Sequence, residues 1–398
     1  MILTKYSQEF ASFFIKNNCI KHERFNPKTR EILTELYNQI KNTTIYTNTK
    51  YTKQMHILSS FKKPLKPKSF DLYSFPETII KHIDSTSSVE ITYKFSLEER
   101  NITVHFILEK STQAEMHKCN HHIKMIIHLF HLLKMYSSNI CSRNLTIFIY
   151  MTSLKKVLPK SNVTVLDQVN VNSAFTQSCK PSGEIVIFRK EEWFKVLIHE
   201  SFHNLGLDFS DMNNSECHSK ILELFKVESN VNLYEAYAEF WAEIINAAFC
   251  SFLILQNQND VNEFLSNADF FINFERTYSL FQLVKTLDFM GLTYTDLYSL
   301  SRNINYKEES NILSYYIIKT ILIHHFQEFL SWCQKHNSSL LQFNKQGNAK
   351  MELCYFIEEK YKSDTLLKNI YKTEEMFRHV KGNNSLSKTM RMSLFELV

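Results

Sequence analysis

One stretch constrains this chain more than any other, the run from Trp193 to Gly206: Trp-Phe-Lys-Val-Leu-Ile-His-Glu-Ser-Phe-His-Asn-Leu-Gly. Its apolar character predicts a helix packed into a core. Gly206, one of only five glycines in 398 residues, falls where a helix end calls for a left-handed residue. On a helix, positions i and i+4 lie one turn apart on one face. His199 and His203 therefore aim two imidazole nitrogens at a single point, which is what a zinc ion needs from two ligands. Glu200 follows the first of them, placed to hold a water beside the ion rather than to bind the ion itself.

The bulk of the chain frames this feature. A length of 398 residues predicts two or three packed units rather than one core. A formal charge of +5 without a concentrated basic block gives no reason to expect nucleic acid as a partner. Eight cysteines stand without any Cys-x-x-Cys pair, which speaks against a disulfide framework or a structural zinc knuckle and for a reducing compartment. The first residues mix charged and apolar side chains, so a signal peptide is not expected. The most apolar long stretch, Ile312 to Leu330, is interrupted by Lys319, His324, His325 and Glu328, so no membrane span is expected either. The expectation is a soluble, intracellular, cytoplasmic protein.

Taken in order, residues 1–84 predict a helical N-terminal extension, with helices over Ser7 to Ile15 and Lys28 to Lys41, and a basic Pro-containing linker from Lys62 to Lys68. Val89, Ile91, Tyr93 and Phe95 alternate with polar residues, as do Ile102, Val104, Phe106 and Leu108, which predicts a β-hairpin. Thr112 to Tyr136 follows as a helix. Its His117, His121, His128 and His131 share a stripe with Lys124 and are expected to form a polar face rather than a metal site. Leu145 to Met151 predicts a buried strand, Val169 to Phe175 an edge strand, and Glu184 to Phe188 a strand leading into the His199 helix.

This order of elements, ending in His-Glu-x-x-His, resembles the upper subdomain of the zincin metallopeptidases over roughly residues 85 to 250. The resemblance implies an α+β fold, with a zincin-like core of twisted mixed sheet, backing helix and active-site helix, above a mainly helical lower subdomain. It divides the chain into an extension over 1–84, an upper subdomain over 85–209 and a lower one over 210–398. In that family the edge strand holds an extended substrate by β-augmentation, a role that would fall to the backbone of Asn170 to Phe175.

A catalytic zinc site has three protein ligands. The metzincin continuation fails, because Phe209 stands where the third ligand belongs and Asp208 comes one place early. His218 and Asp211 carry no motif around them. The helix Leu233 to Glu243 resembles the glutamate helix of thermolysin-like gluzincins, although Tyr234 stands where that pattern has Asn. The resemblance implies Glu235 as third ligand and Glu239, one turn on, as the acid that orients a ligand histidine. Without it, Glu235, Glu239 and Glu243 form the solvated stripe of an ordinary helix. Downstream, Tyr315, Tyr316, His324 and His325 are the right residue types to stabilise an oxyanion, and nothing local selects among them.

The function implied is a metallopeptidase, a hydrolase that binds one zinc ion (Zn2+) and cleaves a peptide or protein substrate through a zinc-activated water, with Glu200 as general base. The alternative is a catalytically inactive zincin-fold protein with a structural or interaction role.

Overall fold

The computed structural model describes residues 3–20, 22–59, 61–68, 71–299, 306–380, 382 and 385–397, and it is α+β. The chain folds as two compact units. One comprises Leu36–Lys155 and Asn172–Asp211; the other comprises Met1–Glu35, Lys156–Val171 and Met212–Val398. The boundary between the two units falls within residues 1–84, between Glu35 and Leu36.

The first unit is built on a six-stranded mixed sheet: β1 (Thr52–Ile57), β2 (Val89–Leu97), β3 (Arg100–Leu108), β4 (Asn144–Met151), β5 (Ala174–Thr176) and β6 (Ser182–Ile187), in the order β1-β2-β3-β4-β6-β5. β1, β2 and β3 run antiparallel, β3, β4 and β6 parallel, and β5 closes the far edge antiparallel to β6. The predicted hairpin is β2–β3, with Leu97 opposite Arg100 across its turn.

Alternation along the strands sends successive side chains to opposite faces. Ile107, Phe148, Tyr150 and Val186 pack with Phe75, Ile79 and Ile83 from the helix Glu77–Thr86 and the residues before it. On the other face, Phe106 meets His122 of the helix Gln113–Lys134 and Trp193 of the helix Trp193–Asn204.

Several sequence expectations are corrected by the structure around the sheet. The basic segment before residue 69 is no free linker: the Leu65 carbonyl accepts from the Tyr150 hydroxyl at 2.5 Å, and the Lys68 amide donates to the Glu184 carboxylate at 3.0 Å. The edge strand begins at Ala174, because Gln168–Val171 is a helical turn capped by the Asp167 carboxylate, which accepts from the Val169 amide at 2.9 Å. The chain also holds a disulfide, Cys141–Cys179.

The histidine stripe is corrected as well. His128 and His131 are only 8% and 9% exposed. His128 Nδ1 lies 2.9 Å from the Thr43 hydroxyl, and His131 stacks on Tyr46 at 3.7 Å. Burial, with Lys124 near His128 and Lys134 near His131, pushes both imidazoles down to about 4. Unfolding exposes them to protonate near 6.5, so protons favour the unfolded chain. Stability from keeping these rings neutral is present above pH 6.5 and is lost as pH falls from 6.5 to 4. At pH 5 His128 alone should cost roughly 2 kcal/mol, with His131 acting in the same direction. Urea unfolding at pH 7 and pH 5 measures this. An equal midpoint at both would contradict it.

The second unit is helical. Its longest helix among the described residues is Val261–Phe289. The run from Leu313 starts as a π-helix to Ile318, continues as Lys319–His324, and resumes at Phe326–His336 after a break at His325. The C-terminal segment packs within this unit. The Glu275 carboxylate accepts from the Ser393 hydroxyl at 2.7 Å and the Leu394 and Phe395 amides at 3.0 Å, while Lys285 Nζ donates to the Leu386 carbonyl at 3.1 Å. Among the described residues no helix is long and apolar enough to cross a membrane.

Candidate metal centre

The helix Trp193–Asn204 is buried along its whole length, which places its two histidines and Glu200 inside protein rather than on a solvated face. Its anchoring to the sheet rests on the absence of a side chain at Gly183. A Cβ there would lie 2.1 Å from Ser142 Oγ and 2.7 Å from Asn204 Nδ2. In that space Ser142 Oγ donates to Asn204 Oδ1 at 2.6 Å, and Asn204 Nδ2 donates to Thr176 Oγ1 at 3.0 Å. The helix stops as the sequence predicts: Gly206 has φ +66°, and the Leu207 amide bonds the Phe202 carbonyl at 2.8 Å.

His199 and His203 are 5% and 8% exposed, and their Nε2 atoms lie 3.0 Å apart. On a tetrahedral ion with zinc–nitrogen bonds near 2.05 Å, two ligand nitrogens sit about 3.3 Å apart, so the pair is spaced for one ion. The turn after the helix brings Asp208 back to His203, whose Nδ1 is hydrogen-bonded to the Asp208 carboxylate. That bond holds the proton on Nδ1 and turns the Nε2 lone pair towards His199. Asp208 is fully buried, and its other oxygen accepts from the Ser210 hydroxyl at 2.8 Å and the Ser210 amide at 3.2 Å. Sequence reasoning weighed Asp208 only as a ligand. Its contact with Nδ1 depends on the Gly206 turn, which the sequence does signal.

In the helical unit, Glu235 opens the helix Leu233–Leu253. Its Oε2 accepts from the Tyr315 hydroxyl at 2.9 Å, and Tyr315 lies within the π-helical turn. π-Turns inside longer helices recur at functional sites. Of the four downstream residues considered, Tyr315 is thereby tied to the candidate ligand. Tyr316 donates instead to the Met390 carbonyl at 2.6 Å, and His325 Nε2 lies 2.9 Å from the Ser363 hydroxyl. Glu239 is buried one turn beyond Glu235, and Glu243 is paired with Lys319 Nζ at 2.6 Å, so no solvated acidic stripe runs along this helix.

His199, His203 and Glu235 each offer one ligand atom, and these atoms lie within 4.8 Å of one another. Among the described residues, no other three His, Cys, Asp or Glu side chains converge in this way. Two imidazoles and a carboxylate form a donor set that suits zinc, with nitrogen and oxygen ligands of borderline softness. His218 points its Nδ1 at the Val231 carbonyl, 3.4 Å away. Compared with protein families, with curated proteins and with solved structures, the chain finds no match.

Proposed function

We propose that this chain is a zinc-dependent metallopeptidase of the zincin type, with His199, His203 and Glu235 holding one ion. The observation that carries the proposal is the convergence of those three side chains around a His-Glu-x-x-His helix. The sheet supports it through its short edge strand, Ala174–Thr176, antiparallel to β6. When bound, the ion supplies Lewis-acid activation of a water and of a peptide carbonyl.

The chain's own groups do the rest. Glu200, 7% exposed, takes a proton from the attacking water on its carboxylate and returns it to the departing amine nitrogen. His203 keeps its Nδ1 proton on Asp208 and presents Nε2 as a donor atom. Tyr315 has a hydroxyl proton, held on Glu235, to offer to a developing negative oxygen.

Elemental analysis of protein purified without added metal tests the proposal. Near-stoichiometric zinc is expected in the wild type, with most of it lost in His203→Ala and in Glu235→Ala. Zinc retained by Glu235→Ala would move the third ligand elsewhere. No zinc in any sample, even after the metal is supplied, would leave a metal-free helix and overturn the proposal.

A further inference from the structure

We infer that the Cys141–Cys179 disulfide governs how tightly the site holds its metal, by clamping the turn through which Asp208 positions His203. This rests on the metal-site reading above. The bond is placed at the turn rather than elsewhere in the fold. Gly206, midway between His203 and Asp208, lies directly against it: a Cβ on Gly206 would sit 3.4 Å from Cys141 Sγ and 3.4 Å from Cys179 Cβ.

Both cysteines are flanked by residues that bond into the same turn. Next to Cys141, the Ser142 hydroxyl donates to Asn204 at 2.6 Å. Next to Cys179, the Ser178 and Ser210 hydroxyls are hydrogen-bonded at 3.1 Å, and the Ser210 amide donates to Asp208 at 3.2 Å. Two further strands of contact close the loop: the Ser142 amide bonds the Lys180 carbonyl at 2.7 Å, and Asn204 Nδ2 reaches Thr176 Oγ1 at 3.0 Å. His203, its anchoring acid and the intervening turn therefore rest on a frame whose covalent member is the disulfide. Asp208 is a positioning residue, acting through His203.

Reduction breaks the Cys141 Sγ–Cys179 Sγ bond. A dithiol reductant gives up two electrons and two protons, the cysteines become two thiols, and the reductant becomes its own cyclic disulfide. Without the S–S bond the two cysteines are no longer held with their Cα atoms 4.5 Å apart, and the frame beside Gly206 loses its covalent member. The turn shifts, the Asp208 carboxylate leaves its line with Nδ1, and His203 becomes a poorer ligand. Loss of such a partner typically costs 10–100-fold in metal affinity.

The test is the zinc dissociation constant of the full chain, measured by competition with a chromophoric chelator and accompanied by far-UV circular dichroism. It is read for oxidised protein and for protein reduced with a phosphine, which ends as its oxide with an oxygen from water and competes less for zinc than a dithiol. Reduction should weaken zinc binding at least tenfold while the dichroism is unchanged. The Cys141→Ser/Cys179→Ser double variant should match reduced wild type, should not respond to the phosphine, and has no new thiols to bind zinc. Asp208→Ala should show a similar loss with no further loss on reduction.

An affinity unchanged within twofold on reduction overturns the clamp and leaves the metal site standing. So does a further tenfold loss on reducing Asp208→Ala, or a reduced wild type that has lost its fold. No zinc binding by any form overturns the clamp together with the proposed function.

Discussion

Glu200→Gln should keep its zinc and lose between about 10²- and 10⁴-fold in turnover, the usual contribution of a positioned general base. The substitution keeps the size and the hydrogen-bonding reach of the side chain, but an amide does not accept a proton near neutral pH. Because His199 and His203 share a fully buried helix with it, the change should leave both histidines where they are. Zinc content by elemental analysis and hydrolysis of a peptide library, measured on one preparation, separate the two effects. A variant with full zinc and unchanged hydrolysis would place the base on another residue. A variant that loses zinc as well would show that Glu200 contributes to holding the ion.

The second large effect concerns the fold. Lys319 and Glu243 are 1% exposed, and their Nζ and Oε1 are paired at 2.6 Å, with Nζ also donating to the Ser279 hydroxyl at 2.9 Å. Lys319→Met would leave a carboxylate in the core without its counter-charge. Breaking one side of a buried pair typically costs 3–5 kcal/mol, against a total stability of about 5–15 kcal/mol for a domain. The urea midpoint of Lys319→Met should fall accordingly. The double variant Lys319→Met/Glu243→Leu, with both charges gone, should recover much of that loss, because two well-packed apolar groups replace the pair at little net cost. A single variant as stable as wild type would show that Glu243 is solvated or protonated in place.

What was legible in the sequence, and what was not, follows from where each signal comes from. The helix bearing His199 and His203 announced itself through a local apolar run and a terminal glycine, and the hairpin through alternation. β1 gave no such signal, since Thr52–Ile57 is exposed along its length and pairs only on one side. The turn at Gln168–Val171 was hidden by the valines at 169 and 171, although Asp167 ahead of them is a cap residue that could have marked it. Along Val261–Phe289, polar residues such as Asn273, Glu275 and Arg276 interrupt the apolar period. They are buried, with Glu275 facing the C-terminal segment more than a hundred residues away in the chain. For the candidate site, the two histidines and Glu200 were local. Cys141–Cys179 and Tyr315–Glu235 are tertiary pairings, 38 and 80 residues apart, with no trace in spacing.

The π-helical turn at Leu313–Ile318 has a consequence for how this chain can diverge. A π-turn holds one more residue than an α-turn, and each residue of a helix is worth about 100° of rotation. Two neighbours within that turn bond in different directions: the Tyr315 hydroxyl reaches Glu235 while the Tyr316 hydroxyl reaches the Met390 carbonyl. Substitution in this segment at positions other than Tyr315 and Tyr316 leaves the division intact. Removing a single residue would close the turn into an α-helix and rotate one side against the other by about 100°, so the two hydroxyls could not both keep their partners. Descendants of this chain are therefore freer to change the other letters of this segment than their number.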